Sequence, residues 1–301
     1  MQKSVTNYRG TTKYIHDSGA ETTIKTGISQ EYQSSGDILT ENRNKYSIII
    51  SSSIGCQMGC KFCGLEDADI PFKNLHGSKI VLNILEAIRL HDKSELEDKY
   101  VKLCFMGMGD CAMSSKRAVI RFLSKKLVSE GFAIGIDSID FGTILPKGMD
   151  KDFMDEALEL DFWLRDTFEI NPANNHGSVV RIFFSAHSFM VVPRIVMMPQ
   201  AATWDLHEMI HETKERGLDV ILHYAFMEGA NDSLYDIACI KRYMRKCPEI
   251  QLRMLRFNDT KTHRESPNYL ELWEELEDLP NIKYQVSPGK DIHSACGMFG
   301  S

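Results

Sequence analysis

Cys56, Cys60 and Cys63 fall in the run Ser51-Ser52-Ser53-Ile54-Gly55-Cys56-Gln57-Met58-Gly59-Cys60-Lys61-Phe62-Cys63-Gly64. This C-x3-C-x2-C spacing constrains the chain more than any other feature. Three thiolates so close can hold three irons of a [4Fe–4S] cube and leave the fourth iron without a protein ligand. Zinc ordinarily takes four ligands, usually from two C-x2-4-C pairs, and the sequence has no second pair. The other five of the eight cysteines are scattered and no leader segment precedes them, so disulfides are not expected.

The 301 residues are enough for one large α/β domain or two small ones, and 43% apolar content is that of an ordinary globular core. No apolar run approaches the roughly 18 residues of a membrane span, so the expectation is a soluble, cytoplasmic protein with no membrane partner. A net charge of −7 argues against a large nucleic-acid footprint, which needs concentrated Lys and Arg. Two basic stretches stand out: Lys116, Arg117, Arg121, Lys125 and Lys126, then Lys241, Arg242, Arg245, Lys246, Arg253 and Arg256. Solvated helix faces are the expectation for both.

After the cysteine loop, strand and helix patterns alternate. Residues 46–52, 101–106, 132–141, 179–185, 220–226 and 250–257 read as buried strands. Apolar residues at three- and four-residue spacing predict helices over 80–88, 118–127, 153–160, 206–215, 234–244 and 269–276. Ser266-Pro267 is expected to start the last of these, with Ser as cap and Pro at the first position. Six strand–helix units imply parallel crossovers, either a partial (β/α)6 barrel or an open doubly wound sheet. In both, ligands sit at the carboxyl ends of the strands, which is where the cysteine loop falls. Residues 1–45 are polar and predict a short extension with a β-hairpin, 46–287 the α/β core, and 288–301 a tail carrying Cys296.

Several segments, in order, resemble the radical-SAM RNA methyltransferases of the RlmN/Cfr type. Ser51 to Cys63, with its aromatic Phe62 before the third cysteine, is similar to that family's cluster loop. Met106-Gly107-Met108-Gly109-Asp110 resembles M-G-M-G-E-P, Phe184-Ser185-Ala186-His187 resembles S-L-H-A, and Gly229-Ala230-Asn231-Asp232 resembles G-V-N-D. Arg256-Phe257-Asn258 resembles P-[WF]-N, and Asp291-Ile292-His293-Ser294-Ala295-Cys296-Gly297 resembles the terminal D-I-x-A-A-C-G. The resemblance implies a partial (β/α)6 barrel, a [4Fe–4S] cluster on Cys56, Cys60 and Cys63, and S-adenosylmethionine (SAM) on the open iron. It also implies a flavodoxin- or ferredoxin-like electron donor and an RNA or nucleotide substrate. Gly109, Asp110, Asp140, Ser185, Ala186, His187 and Asn258 are the implied cofactor contacts, with the Asp110 carboxylate facing the methionyl ammonium. Cys296 is the implied methyl carrier, and Glu21, in Ala20-Glu21-Thr22-Thr23-Ile24, the implied proton acceptor.

The departures matter as much. The family's second catalytic cysteine lies seven residues before the first cluster cysteine, where this chain has Ile49. The family's N-terminal RNA-docking domain has no counterpart in the sequence. Asp110-Cys111 replaces Glu-Pro, and Asp140-Phe141-Gly142-Thr143 replaces a Ser-Thr-Ser-Gly run. The Arg residues expected before the final motif are missing over 286–289. Cys111, in the loop beside Asp110, is the better candidate for a substitute thiol, ahead of Cys104 on a strand. Two other readings stand beside methyl transfer: radical chemistry on a small molecule or nucleotide, and a non-catalytic homologue that binds cluster and SAM.

Overall fold

A computed structural model describes residues 3–6, 10–26, 29–32, 38–42, 44–113, 117–149, 152–174, 177–202 and 206–285. The strands are β1 (Lys3–Thr6), β2 (Thr11–Ile15), β3 (Glu21–Lys25), β4 (Ser29–Tyr32), β5 (Ile38–Asn42), β6 (Lys45–Ile50), β7 (Ser53–Ile54) and β8 (Lys73–Asn74). They continue with β9 (Tyr100–Phe105), β10 (Gly135–Thr143), β11 (Val180–Ser185), β12 (Asp219–Tyr224), β13 (Gln251–Leu255) and β14 (Ile282–Gln285). The helices are α1 (Gly64–Asp67), α2 (Gly77–Leu90), α3 (Arg117–Ser129), α4 (Phe153–Thr167), α5 (Val191–Met197), α6 (Leu206–Glu215), α7 (Leu234–Lys246) and α8 (Tyr269–Glu274).

Seven strands, β6-β9-β10-β11-β12-β13-β14, run parallel in chain order. The six expected strands are all present, and β14 adds a seventh. The N-terminal extension holds more structure than one hairpin. β1-β2-β3 is an antiparallel ribbon laid on the β6 edge, while β4 and β5 form a hairpin on the β14 edge. Only residues 26–28 separate β3 from β4, and three residues reach little more than about 10 Å. The two ends of the parallel sheet are therefore tied together by a short tether, which curls it toward a barrel.

Side-chain alternation divides the strands into two faces. Ile48, Leu103, Ile139, Ile182, Leu222 and Leu252 are wholly buried and pack outward against helix residues such as Ile80, Ile84, Ile120, Leu123, Leu160 and Ile240. Each such side chain contributes roughly 1.5–3 kcal/mol by leaving water. The opposite set faces inward: Ser47 and Ile49 on β6, Lys102 and Cys104 on β9, Asp140 on β10, Arg181 and Phe183 on β11, His223 on β12 and Arg253 on β13. Among the described residues no helix is long and apolar enough to cross a membrane.

Helix ends follow local chemistry. Ser233 and Asp236 make a reciprocal capping box at the start of α7. α8 begins at Tyr269, but with Asn268 rather than Ser266 at its cap and Pro267 outside it. Ser266 Oγ instead accepts from the Asn268 N–H at 3.3 Å, and the Ser-Pro step forms the preceding turn. The basic stretches are not simply solvated. Arg121 and Lys125 lie over the Trp163 ring, Lys241 and Arg245 pair with Glu275 and Asp278, and Arg256 pairs with Glu265 and stacks on Tyr269. Arg253 is 8% exposed and points to the inner face.

Candidate functional site

The cysteine loop leaves the carboxyl end of β6 through three serines that stitch it to the turn after β9. Ser52 and Ser53 N–H groups donate to Met108 O (2.8 and 3.2 Å), Ser51 Oγ donates to Glu21 O (2.7 Å), and Gly107 N–H donates to Ile50 O (3.1 Å). Gly109, at φ +90°, sits so tightly on this run that a Cβ there would lie 2.3 Å from Ser53 Oγ and 2.5 Å from Ser52 Oγ. The β7–β8 pairing clips the base of the loop, with Ser53 opposite Asn74 and Ile54 opposite Lys73. Lys61 N–H then donates to Met197 O on α5 (2.9 Å), and Cys63 N–H to Cys60 O (3.0 Å).

Cys56, Cys60 and Cys63 are half-buried and form no disulfide. Burial pushes the Cys60 thiol well above its ordinary value, and the neighbouring Cys63, Cys56 and Asp110 push it further; only Arg194 opposes. Burial raises Cys56 too, against backbone N–H groups of Met58 and Gly109 that point at its sulfur. Such a crowd of thiols with N–H donors is an arrangement that a polynuclear centre relieves, because each thiolate is neutralised by its own iron and hydrogen bonds to sulfur tune the potential. Among the described residues no three His, Cys, Asp or Glu side chains converge as a single ion requires; a cube asks for three separate points. Behind the thiols stands an apolar wall of Met58, Ile144, Met197, Met198, Met227 and Phe257. The residues present fit a [4Fe–4S] cluster.

The other expected contacts divide. His187 is at the site: its ring meets Phe62 edge-on at 4.7 Å, and its backbone takes φ +47°. Burial, then Arg194, pushes its pKa down to about 3, so it is neutral, and Nδ1 accepts from the Ala225 N–H (3.2 Å). Asn231 braces this loop by donating to His187 O and Ala225 O and accepting from the Met227 N–H. Ser185 ends β11, Ala186 follows it directly before His187, and buried Asn258 follows β13. Asp110 is close to the thiols, yet both its oxygens are used: they accept from Ala112 N–H, Thr143 Oγ1 and Ile144 N–H at 2.8–3.1 Å. It cross-links the ends of β9 and β10.

Asp140 is not a strand-end contact. It lies deep on the inner face, clamped by Arg181 (2.8 and 2.9 Å) and Lys102 (2.6 Å). Burial alone would raise its pKa; Arg181 and Lys102 win and hold it well below the carboxylate range. Both Asp140 oxygens are engaged by these cations. Glu21 faces inward at the start of β3, ion-paired with Lys13 at 3.0 Å, both buried. The thiols also change rank. Cys111 lies on the helix side, among Phe141, Phe153 and Leu160, with Sγ donating to Gly142 O. Cys104 sits on the inner face, paired in register with Ile49. Cys296 lies outside the described residues.

Sequence reasoning missed Arg194. It is 6% exposed on α5, donates through Nη2 to Ile144 O (2.6 Å), and its Nε has no partner among the described residues. The Val191–Met197 segment, β-branched with Pro193, does not read as a helix.

No model of a protein family matches the chain. A dual-specificity RNA methyltransferase RlmN from Campylobacter hominis is 25% identical over 274 residues, 87% of this chain and 68% of that protein. A probable dual-specificity RNA methyltransferase RlmN from Clostridium novyi is 25% identical over 318 residues, 99% of this chain and 78% of that one. Over most of its length the chain is similar to the radical-SAM proteins of the RlmN/Cfr type. A crystal structure of a radical SAM methyltransferase from Sphaerobacter thermophilus shares its fold, with a TM-score of 0.68 at 18% identity over 98% of this chain and 79% of that one. The cofactors of such a radical-SAM protein are a [4Fe–4S] cluster and SAM.

Proposed function

We propose that the chain is a radical-SAM methyltransferase acting on an adenine base of RNA or of a nucleotide, with Cys296 as methyl carrier and Glu21 as proton acceptor. The observation that carries this is the trio of Cys56, Cys60 and Cys63, crowded at the carboxyl end of β6 with N–H donors on Cys56. When bound, the cluster supplies one-electron reduction of SAM, drawn from a flavodoxin- or ferredoxin-like donor. The chain's residues do the rest. Gly107 and Gly109 let the turn lie against the loop, neutral His187 packs Phe62 over the thiols, and the Met-rich wall excludes water. Glu21 faces inward, two residues from the Thr23 that pairs with Ile49. Its carboxylate, ion-paired with Lys13 at 3.0 Å, is the group that would accept a proton.

Anaerobic reconstitution, incubation with methyl-deuterated SAM and peptide mass spectrometry of the tail test this. A labelled methyl on Cys296, with S-adenosylhomocysteine formed, is expected. SAM cleavage with Cys296 unlabelled overturns it. Ile49 favours a second reading, radical chemistry without methyl transfer, because an isoleucine cannot resolve a thioether; Cys104, beside it in register, is the nearer thiol.

A further inference from the structure

α5 is built inside out. Arg194 and Met197 are its buried residues, while Val191, Val192 and Val196 are 55%, 72% and 66% exposed. Burial energetics favour the opposite arrangement, with branched apolar side chains inside and the cation in water. A short helix that turns an arginine inward and three valines outward breaks a local rule, and such breaks concentrate where a chain binds or reacts.

The arginine's own bonds explain only part of this. Nη2 donates to Ile144 O at 2.6 Å and, more weakly, to Ser185 O at 3.5 Å. These carbonyls hold the guanidinium at the carboxyl ends of β10 and β11, the end at which parallel α/β sheets take their ligands. Nε is buried and has no hydrogen-bond partner among the described residues, and no carboxylate among them is bonded to the cation. Asp110, the carboxylate beside the thiols, already accepts from Ala112, Thr143 and Ile144. The backbone ties this unused donor to the cysteine loop. Met197 O, three residues on in α5, accepts from Lys61 N–H at 2.9 Å, and Lys61 follows the Cys60 whose thiol the guanidinium favours as thiolate. A bound cluster takes up the charge of Cys60, which leaves a buried cation without an anion of its own. A buried charge in that position is costly until an anion joins it.

We propose that Arg194 is a cofactor-binding residue whose free Nε–H receives the carboxylate of SAM, fixing the amino-acid end of the cofactor beside the cysteine loop. The carboxylate has two oxygens, and chelation of an open iron engages one, so the other remains for a donor. A guanidinium suits that task because it stays charged when buried and makes short, charge-assisted bonds to carboxylate oxygens. The proposal rests on the reading above only in taking SAM as the ligand at the cysteine loop.

The test measures binding. Equilibrium dialysis of reconstituted protein compares SAM with decarboxylated SAM and methylthioadenosine, two compounds that keep the adenosyl sulfur and lack the carboxylate. In Arg194→Met the affinity for SAM is expected to fall on the order of tenfold or more, the worth of one hydrogen bond to a charged group. The two carboxylate-free compounds are expected to bind as they do to the parent, and Arg194→Lys to lie between parent and Met variant for SAM alone. An unchanged SAM affinity overturns the proposal. An equal loss for all three ligands overturns it too, since that marks a residue that only shapes the site. Iron content is read in the same samples. If Arg194→Met does not hold its cluster, Arg194→Lys carries the comparison, with SAM weakened several-fold and the other two compounds unaffected. Methyl transfer by the parent is read separately. A carboxylate-dependent loss in the variants with no transfer by the parent keeps this role and sinks the proposed reaction, and transfer with no such loss does the reverse.

Discussion

Arg194 places a guanidinium beside Cys60 with Nε unengaged, and burial lowers its pKa to about 10, still charged at neutral pH. Removing that charge leaves the thiolate-rich centre more negative. In Arg194→Met the cluster's midpoint potential is expected to fall by on the order of 50 mV in an EPR-monitored titration, with Arg194→Lys between the two. An unchanged potential in Arg194→Met removes the electrostatic role. His223 offers a pH signature. Burial, then Arg253, pushes its pKa down from 6.5 to about 3. The unfolded chain therefore takes up a proton that the folded one refuses. Stability is held above about pH 6.5 and lost as pH falls toward 3, by up to ~1.4 kcal/mol per unit. His223→Gln is expected to lose less stability than the parent between pH 7 and pH 5 in urea denaturation, and an identical slope would refute this.

At the scale of elements, the β9 turn and the α7 cap separate function from stability. Gly109→Ala forces a Cβ into Ser52 and Ser53 from a φ of +90°. Iron content after reconstitution is expected to fall several-fold, as the loop is pushed from the turn. Ser233→Ala removes the capping box and is expected to cost about 1 kcal/mol in denaturation with iron content unchanged. Most elements were legible because apolar spacing survives in them: Ile80, Ile84 and Ile88 mark α2, and alternating Tyr46, Ile48 and Ile50 mark β6. α5 was not, since Val-Val-Pro-Arg-Ile-Val reads as extended chain. It forms because Pro193 sits in the first turn, where its missing N–H is unneeded. β14 was missed because four residues carry too little pattern. The cysteine trio was plain from spacing. The inner cations were not, because charges alternating with apolar residues read as a sheet with one wet face. Here that face is the inside of a barrel.

For the whole molecule, the N-terminal strands are structural members rather than an appendage, covering the β6 edge with β3 and the β14 edge with β4. Deleting residues 1–42 exposes both edges of the parallel sheet, and open edges template association. Size-exclusion chromatography is expected to show aggregates in place of the parent's discrete species; a well-behaved truncated species would mean that the seven parallel strands suffice.

The pairing of β4 with β14, Tyr32 opposite Tyr284, joins residues separated by about 250 positions, among the most non-local contacts a chain this long can make. During synthesis, which runs at roughly 5–20 residues per second, the β4–β5 hairpin emerges about 250 residues ahead of its partner strand. Over that interval the nascent chain holds an unsatisfied strand pair in waiting. Closure of the sheet, and with it a finished interior beneath the cysteine loop, has to wait until β14 has been made.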